Sequence, residues 1–210
     1  MKVLLINGSN RANGCTNRAL EEVAKVLVEN GVEYEIFQVG SAPIRDCIGC
    51  LQCATKLKNN TCIFNDDVVN QLIAKASECD GFVFGTPVYY AHPSGRILSL
   101  LDRVFYAGSR VFRQKPAFAV ASARRAGTTA SLDVLNKYFT IAQMPIASSS
   151  YWNMVHGNQP EHVEQDLEGL QTMRNATRNL VWLMKCIELG KQNGIEPPKN
   201  ESGVRTSFIR

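Results

Sequence analysis

The sequence predicts a three-layer α/β domain built on a doubly wound, parallel, five-stranded sheet. Two observations carry this prediction. Short apolar runs typical of buried strands alternate along the chain with longer segments whose apolar residues recur at helical spacing. Parallel strands need a crossover connection between them, usually a helix, so this alternation places helices on both faces of one sheet.

The predicted elements follow one another in a regular order. Apolar runs predict strands over residues 2–7, 34–39, 82–85, 117–121 and, more weakly, 145–148. Helical spacing follows the first strand and recurs over residues 66–78, 94–107 and 128–142. Pro160 opens a last helical pattern with an acidic first turn, and this pattern approaches about 30 residues with a break.

Composition and charge narrow the class of protein. The chain has 210 residues, of which 45% are hydrophobic and 20% charged, a balance that predicts one globular domain. We assign residues 1–190 to this domain and residues 191–210, which carry no clear pattern, to a C-terminal tail. Apolar stretches fall far short of the roughly 20 residues that span a bilayer, and the first residues lack a signal-peptide pattern, so we expect a cytoplasmic protein without a membrane segment. The net charge of +4 comes from scattered basic residues, which disfavours nucleic-acid binding.

The loop after the first strand, residues 8–17, is a candidate anion site. It lacks the G-x-G-x-x-G pattern of dinucleotide-binding folds and the Gly-Lys-Ser/Thr of a P-loop. It offers hydroxyls, amides and one arginine at the start of a helix, where the N–H groups and the helix dipole favour a single terminal phosphate. An ordinary strand–helix loop with a side-chain cap is the alternative interpretation.

Several motifs in a fixed order resemble the flavodoxin-like NAD(P)H-dependent FMN reductases. The resemblance covers residues 1 to about 150 and rests on Gly8-Ser9-x-Arg11-x-x-Gly14-x-Thr16, on Gly85-Thr86-Pro87-Val88-Tyr89-Tyr90, and on Ser94-Gly95 to Asp102-Arg103. Within that superfamily, Cys47-x-x-Cys50-x-x-Cys53 followed by Cys62 is similar to the iron–sulfur flavoproteins. The resemblance implies strand order 2-1-3-4-5, a bound FMN and NAD(P)H as electron donor.

The resemblance also implies which residues bind FMN. They are Ser9, Arg11, Cys15, Thr16 and Asn17 at the phosphate, Pro87, Val88, Tyr89 and Tyr90 against the ring, and Ser122, Arg124, Arg125 and Gly127 at the ring's pyrimidine side. Cys15 stands where the family usually has asparagine, a change that can loosen or retune phosphate binding. An arginine beside the ring would stabilise the negative charge of reduced flavin, although one of the pair can instead grip a nicotinamide-cofactor phosphate or lie free in solvent.

Four of the seven cysteines, Cys47, Cys50, Cys53 and Cys62, are spaced to offer four thiolates to a [4Fe–4S] cluster. The last spacing is longer than the compact motif of the iron–sulfur flavoproteins. A zinc ion and a set of free or disulfide-forming thiols are the alternatives. The remaining cysteines outside the loops, Cys79 and Cys186, are predicted as small core residues.

Charged residues near the ends of two predicted helices are expected to stabilise those helices. Asp66 and Asp67 precede the helix predicted over residues 66–78 closely enough to cap it. Asp102 and Arg103 are interpreted as an ion pair at the end of another helix. Neither pair is assigned a part in the chemistry.

Residues 151–157 are candidates for a pocket that binds the electron acceptor, and the last helix is a candidate for an interface between subunits. Tyr151, Trp152 and His156 are candidate pocket residues, with His156 as proton donor or stacking wall, although a lone histidine is more often structural. The apolar stripe of the long helix predicts a homo-oligomer, a dimer or tetramer, anchored by Trp152 and Trp182. The alternative folds this helix over its own sheet with both tryptophans in the core.

Three functional hypotheses follow. The first is an FMN-dependent oxidoreductase that carries electrons from NAD(P)H to a small acceptor, such as a quinone, a nitro or azo compound, or flavin, without a catalytic side chain of its own. The second is an electron carrier that uses FMN and a [4Fe–4S] cluster. The third is a non-enzymatic binding protein whose segment 47–62 responds to the redox state of its thiols.

Overall fold

A computed structural model describes residues 1–208 of the chain. Its strands are β1 (Lys2–Asn7), β2 (Glu33–Gln38), β3 (Gly81–Tyr89), β4 (His92–Pro93), β5 (Ala117–Ala123) and β6 (Met154–His156). Its helices are α1 (Cys15–Glu29), α2 (Val69–Ser77), α3 (Gly95–Phe112), α4 (Thr128–Ile141), α5 (Pro160–Val163) and α6 (Leu167–Gln192). A short π-helical turn covers Cys53–Leu57.

The strands form one sheet in the order β2-β1-β3-β5-β6, and the pairs along this order are parallel. The short β4 pairs antiparallel with the end of β3 and forms a hairpin outside that order. Counted without β4, the order is 2-1-3-4-5, so the predicted doubly wound α/β fold is confirmed. The carboxyl ends of β1, β3 and β5 consequently lie side by side at one edge of the sheet, where ligands bind in this class of fold.

The sheet is covered on both faces, as the alternation of strands and helices predicted. One core joins the sheet to α2, α3 and α4 and contains a group of packed aromatic rings that includes Phe84 and Phe105. The other core joins it to α1, α5 and α6. Residues on both faces of β1, β3 and β5 are buried, which explains why these strands are continuous apolar runs.

The fifth parallel strand lies elsewhere than the sequence suggested. A strand over residues 145–148 was expected, but Ile146 makes only an isolated bridge to Ala117, and the strand itself is β6. Between these two contacts the serine-rich residues 148–152 leave the sheet edge. A run of small polar residues favours a loop over a pleated, half-buried strand, and this accounts for the displacement.

The C-terminal helical region has the predicted break, at residues 164–166, where Asp166 caps α6 by accepting a hydrogen bond from the N–H of Gly169 at 2.9 Å. The helix α6 packs on its own sheet, as the alternative interpretation held, but Trp152 and Trp182 are 58% and 63% exposed, so that alternative is wrong in placing both tryptophans in the core. Cys79 is buried as predicted, whereas Cys186 is exposed and does not belong to the core. Among the described residues, no helix combines the length and the apolar character needed to cross a membrane.

Candidate functional site

Residues 8–17, the candidate anion site that we call the phosphate loop, follow β1 and are bonded to the end of the neighbouring strand β3. The N–H of Gly8 donates to the carbonyl of Gly85 at 2.9 Å. A Cβ atom at Gly8 would lie 2.7 Å from that carbonyl oxygen and 2.9 Å from Ile97, so a larger residue cannot fit without moving backbone. Glycine is therefore required for the loop to turn this tightly above β3.

The polar side chains of this loop are mostly occupied inside the protein. The Ser9 hydroxyl accepts the N–H of Arg11 at 3.1 Å, and the hydroxyls of Thr16 and Ser122 share a 2.7 Å hydrogen bond. Ser9, Thr16 and Asn17 are buried, while Arg11 is exposed. These contacts fix the shape of the loop and leave Arg11 as its cation facing solvent.

The start of α1 carries no capping side chain. Within residues 1–208, its N-cap position is Gly14, and no side chain accepts a hydrogen bond there. In that range the N-cap residues of α2, α4 and α5 make no side-chain cap either, whereas Ser94 and Asp166 cap α3 and α6. The first N–H groups of a helix need acceptors from elsewhere, and an anion can supply them. The alternative of an ordinary capped loop thus lacks its cap, and the arrangement suits a phosphate.

Cys15, at the first position of α1, is a hydrogen-bond donor. Its Sγ lies 3.5 Å from the carbonyl oxygen of Gly157, and burial raises the pKa of the thiol above its usual value. The thiol therefore stays protonated at neutral pH and adds no negative charge beside the anion site. This contact also joins the segment 151–157 to the phosphate loop.

The residues expected to lie against the flavin ring, Pro87, Val88, Tyr89 and Tyr90, lie on the β3–β4 hairpin. Pro87 and Val88 are half-buried, while Tyr89 and Tyr90 are exposed. The two residues at the tip, Tyr90 and Ala91, both adopt left-handed backbone conformations, with φ of 52° and 57°. Such a turn is favoured by Asn-Gly and costs energy with larger residues, so the pair Tyr90-Ala91 carries no local signal for it.

The loop after β5 packs against this hairpin. Gly127 has φ of 93°, and a Cβ atom there would overlap the backbone of Ala91. Arg124 and Arg125, in the same loop, are exposed. The hairpin and the β5–α4 loop therefore form one continuous wall beside the phosphate loop.

The electrostatic character of the site follows from its composition. The three loops, residues 8–17, 86–95 and 122–129, contain three arginines and His92, and none of their residues is Asp or Glu. All three arginines, Arg11, Arg124 and Arg125, are exposed. The positive charge that these loops contribute at the carboxyl edge of the sheet attracts an anionic ligand.

The proposed acceptor-pocket residues are only partly brought together. Tyr151 and Trp152 are exposed and form an edge-to-face pair with centroids 4.8 Å apart. The backbone N–H of His156 donates to Asp166 at 2.7 Å, and its Nδ1 lies 3.7 Å from the same carboxylate. These contacts make His156 part of the junction between β6 and α6, which matches the structural alternative for a lone histidine.

The four spaced cysteines line a single pocket. Cys47, Cys50, Cys53 and Cys62 share it with residues that include Ile63, Phe64, Arg103 and Tyr106. Within the described chain, no three His, Cys, Asp or Glu side chains converge tightly enough to hold one metal ion. A [4Fe–4S] cluster makes a different demand, since its cysteines surround the cluster rather than share one ion, and the donor set fits that demand.

The space inside this pocket is small. It measures about 20 Å³, close to the room that one water molecule needs. Most residues between Cys47 and Cys62 are exposed, and the segment contains only the π-helical turn as regular structure. A group the size of a cluster therefore requires the segment to move outward.

Arg103 is the functional candidate that the sequence interpretation missed. The expected pair with Asp102 is wrong, because Asp102 accepts a hydrogen bond from Tyr138, while Arg103 forms a buried ion pair with Asp67. A signal for Arg103 did exist, since a charged residue on the apolar face of a helix must find a partner.

Asp67 also accepts the N–H of Val69, the first residue of α2, at 3.1 Å. The N-cap position itself is Val68, which has no capping side chain, and Asp66 pairs with Arg45 instead of capping the helix.

Comparison with known proteins agrees with this geometry. The family model described as NADPH-dependent FMN reductase matches residues 1–159. An iron–sulfur flavoprotein of Methanocaldococcus jannaschii is 29% identical over 199 residues, covering 90% of this chain and 100% of that protein. An FMN-dependent NADPH-azoreductase of Staphylococcus saprophyticus is 30% identical over 106 residues, covering 50% of this chain and 52% of that protein.

Solved structures support the fold. The flavodoxin described as a WrbA-like protein from Agrobacterium tumefaciens superposes with a TM-score of 0.59 at 15% identity, covering 88% of this chain and 98% of that chain. At this level of identity the likeness concerns the fold alone. It agrees with the flavodoxin-like strand order described above.

Proposed function

The chain belongs to the NADPH-dependent FMN reductase family, and on that premise we propose that it passes electrons from NAD(P)H through FMN to a small acceptor such as a quinone, a nitro or azo compound, or free flavin. FMN held by the three loops would supply the redox chemistry, namely hydride uptake from the nicotinamide and release of electrons to the acceptor. The observation that carries the proposal is the uncapped start of α1 beside three loops without a carboxylate. The family match favours this enzyme over a non-enzymatic thiol-responsive binding protein.

The phosphate of FMN would be held mainly by backbone and by Arg11. The free N–H groups at the start of α1 point to the place where the dipole favours an anion, and Arg11 adds a charge-assisted contact. Ser9, Cys15, Thr16 and Asn17 would act largely by shaping this loop, because their side chains are buried or bonded within the protein. This refines the direct role that the resemblance implied for them.

The flavin ring would lie along the wall formed by the β3–β4 hairpin and the β5–α4 loop. Pro87 stiffens the hairpin, Val88 and the two tyrosines offer an apolar and aromatic surface, and Ser122 and Gly127 shape the facing loop. Arg124 or Arg125 would stabilise the negative charge of the reduced ring. Because both are exposed, one of them also remains available to a nicotinamide-cofactor phosphate.

The placement of FMN is tested with the double variant Arg11→Ala/Thr16→Ala. It removes the exposed cation and the link to Ser122, so FMN affinity should fall by about 10-fold or more, roughly one or two charge-assisted hydrogen bonds. Fluorescence titration of the metal-free protein with FMN measures this. Lys25→Ala, on the exposed side of α1, is the control, and equal affinity in both variants would contradict the placement.

The reaction itself is tested by steady-state kinetics. FMN-loaded protein should oxidise NADPH or NADH in the presence of menadione, and replacing Arg124 or Arg125 with Ala should lower the midpoint potential of the flavin or raise the KM for the nicotinamide cofactor. Either result assigns that arginine. Absence of nicotinamide oxidation with every acceptor class would leave the second candidate, an electron carrier.

That second candidate is an iron–sulfur flavoprotein, and a specific observation favours it. Four cysteines line one pocket, and the similarity to a protein named iron–sulfur flavoprotein extends over 90% of the chain. Cys47, Cys50, Cys53 and Cys62 would each bind one iron of a [4Fe–4S] cluster, which would supply one-electron transfer. Anaerobic purification with iron and sulfide analysis tests this, and zinc or no metal in the same assay would contradict it.

We also propose that the protein forms a homo-oligomer. Trp152 and Trp182 are exposed aromatic side chains of the kind enriched among the dominant contacts of interfaces. A partner subunit would cover them and shield the flavin ring from water. Light scattering at micromolar concentration decides the matter, because a mass near the 23.3 kDa of one chain would refute the oligomer.

A further inference from the structure

A buried ion pair lies in the wall of the cysteine pocket. Arg103, on α3, and Asp67, just before α2, have side chains that are 1% and 5% exposed. A neighbouring pair in the same region, Arg45 with Asp66, is 46% and 58% exposed. The two pairs share their chemistry and differ in burial, so they provide a natural comparison.

Arg103 contacts both ends of residues 45–64, which contain the four spaced cysteines and are called the cysteine segment below. Its Nε lies 3.4 Å from Cys62 Sγ, its Nη1 donates to the carbonyl of Arg45 at 3.3 Å, and its Nη2 donates to the carbonyl of Phe64 at 3.2 Å. Arg45 precedes the first spaced cysteine, and Phe64 follows the last. One planar guanidinium therefore closes the loop that carries all four thiols.

Stability alone is a weak reason for such an arrangement. Burying two charges costs much of what their attraction returns, and apolar residues of similar size often serve as well. Here, however, an N–H of the cation points at a sulfur atom in a pocket with four thiols. Hydrogen bonds to cysteine sulfur and nearby net charge are what set the reduction potential of iron–sulfur clusters.

We propose that Arg103 is the positioning residue of the cysteine pocket: it closes the segment and, through its N–H contact with Cys62, raises the reduction potential of a cluster bound there, with Asp67 as the balancing charge. The part that concerns the potential rests on the proposed [4Fe–4S] cluster, and it requires that the contact between Arg103 and Cys62 persists when residues 47–61 move outward to admit the cluster. The closing of the segment rests on the contacts alone. Asp67 is itself fixed by the N–H of Val69, so the pair is tied to α2 as well as to α3.

The test uses opposite charge changes in the cluster-loaded protein. Arg103→Met removes the cation and should make the cluster at least tenfold harder to reduce, a drop of about 59 mV for a one-electron couple. Asp67→Asn leaves the cation unbalanced and should shift the potential upward. The double variant should return toward the wild-type value, and the exposed-pair controls Arg45→Met and Asp66→Asn should change the equilibrium less than twofold.

A merely structural role would not produce shifts of opposite sign. Arg103→Lys keeps the charge but cannot make the same set of hydrogen bonds, so it should restore the potential more fully than it restores the closure of the segment. Redox titration followed by electron paramagnetic resonance measures the potential. Shifts of the same sign in Arg103→Met and Asp67→Asn, or shifts no larger than those of the controls, would overturn the proposed tuning.

A second readout separates this inference from the cluster proposal. If the wild-type protein holds no iron and sulfide after anaerobic reconstitution, the proposed cluster fails and the tuning of its potential falls with it. The closing role is then judged by hydrogen exchange in the metal-free protein. Arg103→Met should speed amide exchange over residues 45–64 at least tenfold while Asp66→Asn leaves it unchanged, and equal exchange in both variants would overturn the closing role.

Discussion

The two loops that follow β1 and β2 are held in opposite ways. The phosphate loop is short and is fixed by backbone contact with β3 and by buried hydroxyls, as in the 2.9 Å hydrogen bond from Gly8 to Gly85. The segment after β2 extends to residue 68 with only one π-helical turn, and its second half is fixed by the side chains of Asn70 and Arg103. The first loop is formed before any ligand arrives, whereas the second depends on a few polar contacts.

The difference has a physical origin. β1 lies between β2 and β3, so the loop after it is enclosed by neighbours, whereas β2 is at the edge of the sheet. A long connection from an edge strand receives little packing from the sheet and must be tied down by individual side chains. We therefore expect substitutions in the first loop to act through shape and substitutions near the second to act through single hydrogen bonds.

The largest effect is expected for Gly8→Ala. The new methyl group would press on the Gly85 carbonyl and on Ile97, so we expect a loss of about 2–3 kcal/mol in the free energy of unfolding and at least a 100-fold loss in FMN affinity. Urea unfolding and FMN titration measure the two effects. Gly49→Ala is the matched control, because its φ of 63° carries some strain but nothing lies within 4 Å of the added atom. Similar losses in both variants would break the contrast between the loops.

A smaller and more local effect is expected for Asn70→Ala. The Asn70 side chain accepts the N–H of Cys62 at 2.8 Å and donates to the carbonyls of Cys62 and Phe64. Its removal should cost about 1–2 kcal/mol in the closure of the segment and lower the iron content of reconstituted protein, with FMN affinity unchanged. Hydrogen exchange and iron analysis test this. Loss of FMN binding together with iron would show that the two loops are not independent.

The smallest effect is expected for Glu22, which joins α1 to α6 through an ion pair with Arg174. Burial raises the pKa of Glu22, but hydrogen bonds from Arg174 and Arg18 outweigh it, so the pKa of this carboxyl lies below its usual value. The stabilisation is therefore complete above the unfolded-state pKa of about 4.3 and is lost as pH falls through the lowered folded-state pKa. We expect Glu22→Gln to cost about 1 kcal/mol at pH 7.

The pH dependence supplies the test for Glu22. The difference in unfolding free energy between wild type and Glu22→Gln should shrink as urea titrations move from pH 7 to below pH 4. Glu21→Gln, whose neighbour is Asn17 rather than an arginine, is the control. A difference that stays constant with pH would mean that the carboxylate charge does not contribute.

The local sequence pattern was sufficient to predict those parts of the structure that are determined by residues adjacent in sequence. The apolar run of β1, the glycine-rich loop and the start of α1 are contiguous, so the fold and the anion-site hypothesis could be reached from the sequence. The partner of Arg103 could not, because Asp67 lies 36 residues away and the pairing exists only once α2 and α3 pack together. Asp102, the nearest carboxylate in sequence, was therefore the wrong partner.

Two further features escaped sequence reasoning for similar reasons. The left-handed turn at Tyr90 and Ala91 is imposed by its contact with Gly127, a residue of another loop. The position of β6 is set by pairing with β5, because Ile146 makes an isolated bridge at the start of β5 and residues 154–156 pair with residues 121–123 at its end. A conformation that depends on contacts with residues distant in sequence cannot be predicted from the local sequence alone.

The interrupted pairing at that outer edge also bears on aggregation. A long, unbroken edge strand exposes a row of N–H and C=O groups that can recruit strands from other molecules. Here β6 has three residues, and the chain loops away at residues 148–152 before it. Deleting part of this loop so that the strand could run continuously from Ile146 to His156 would remove the interruption, and such a protein would tend to polymerise edge to edge.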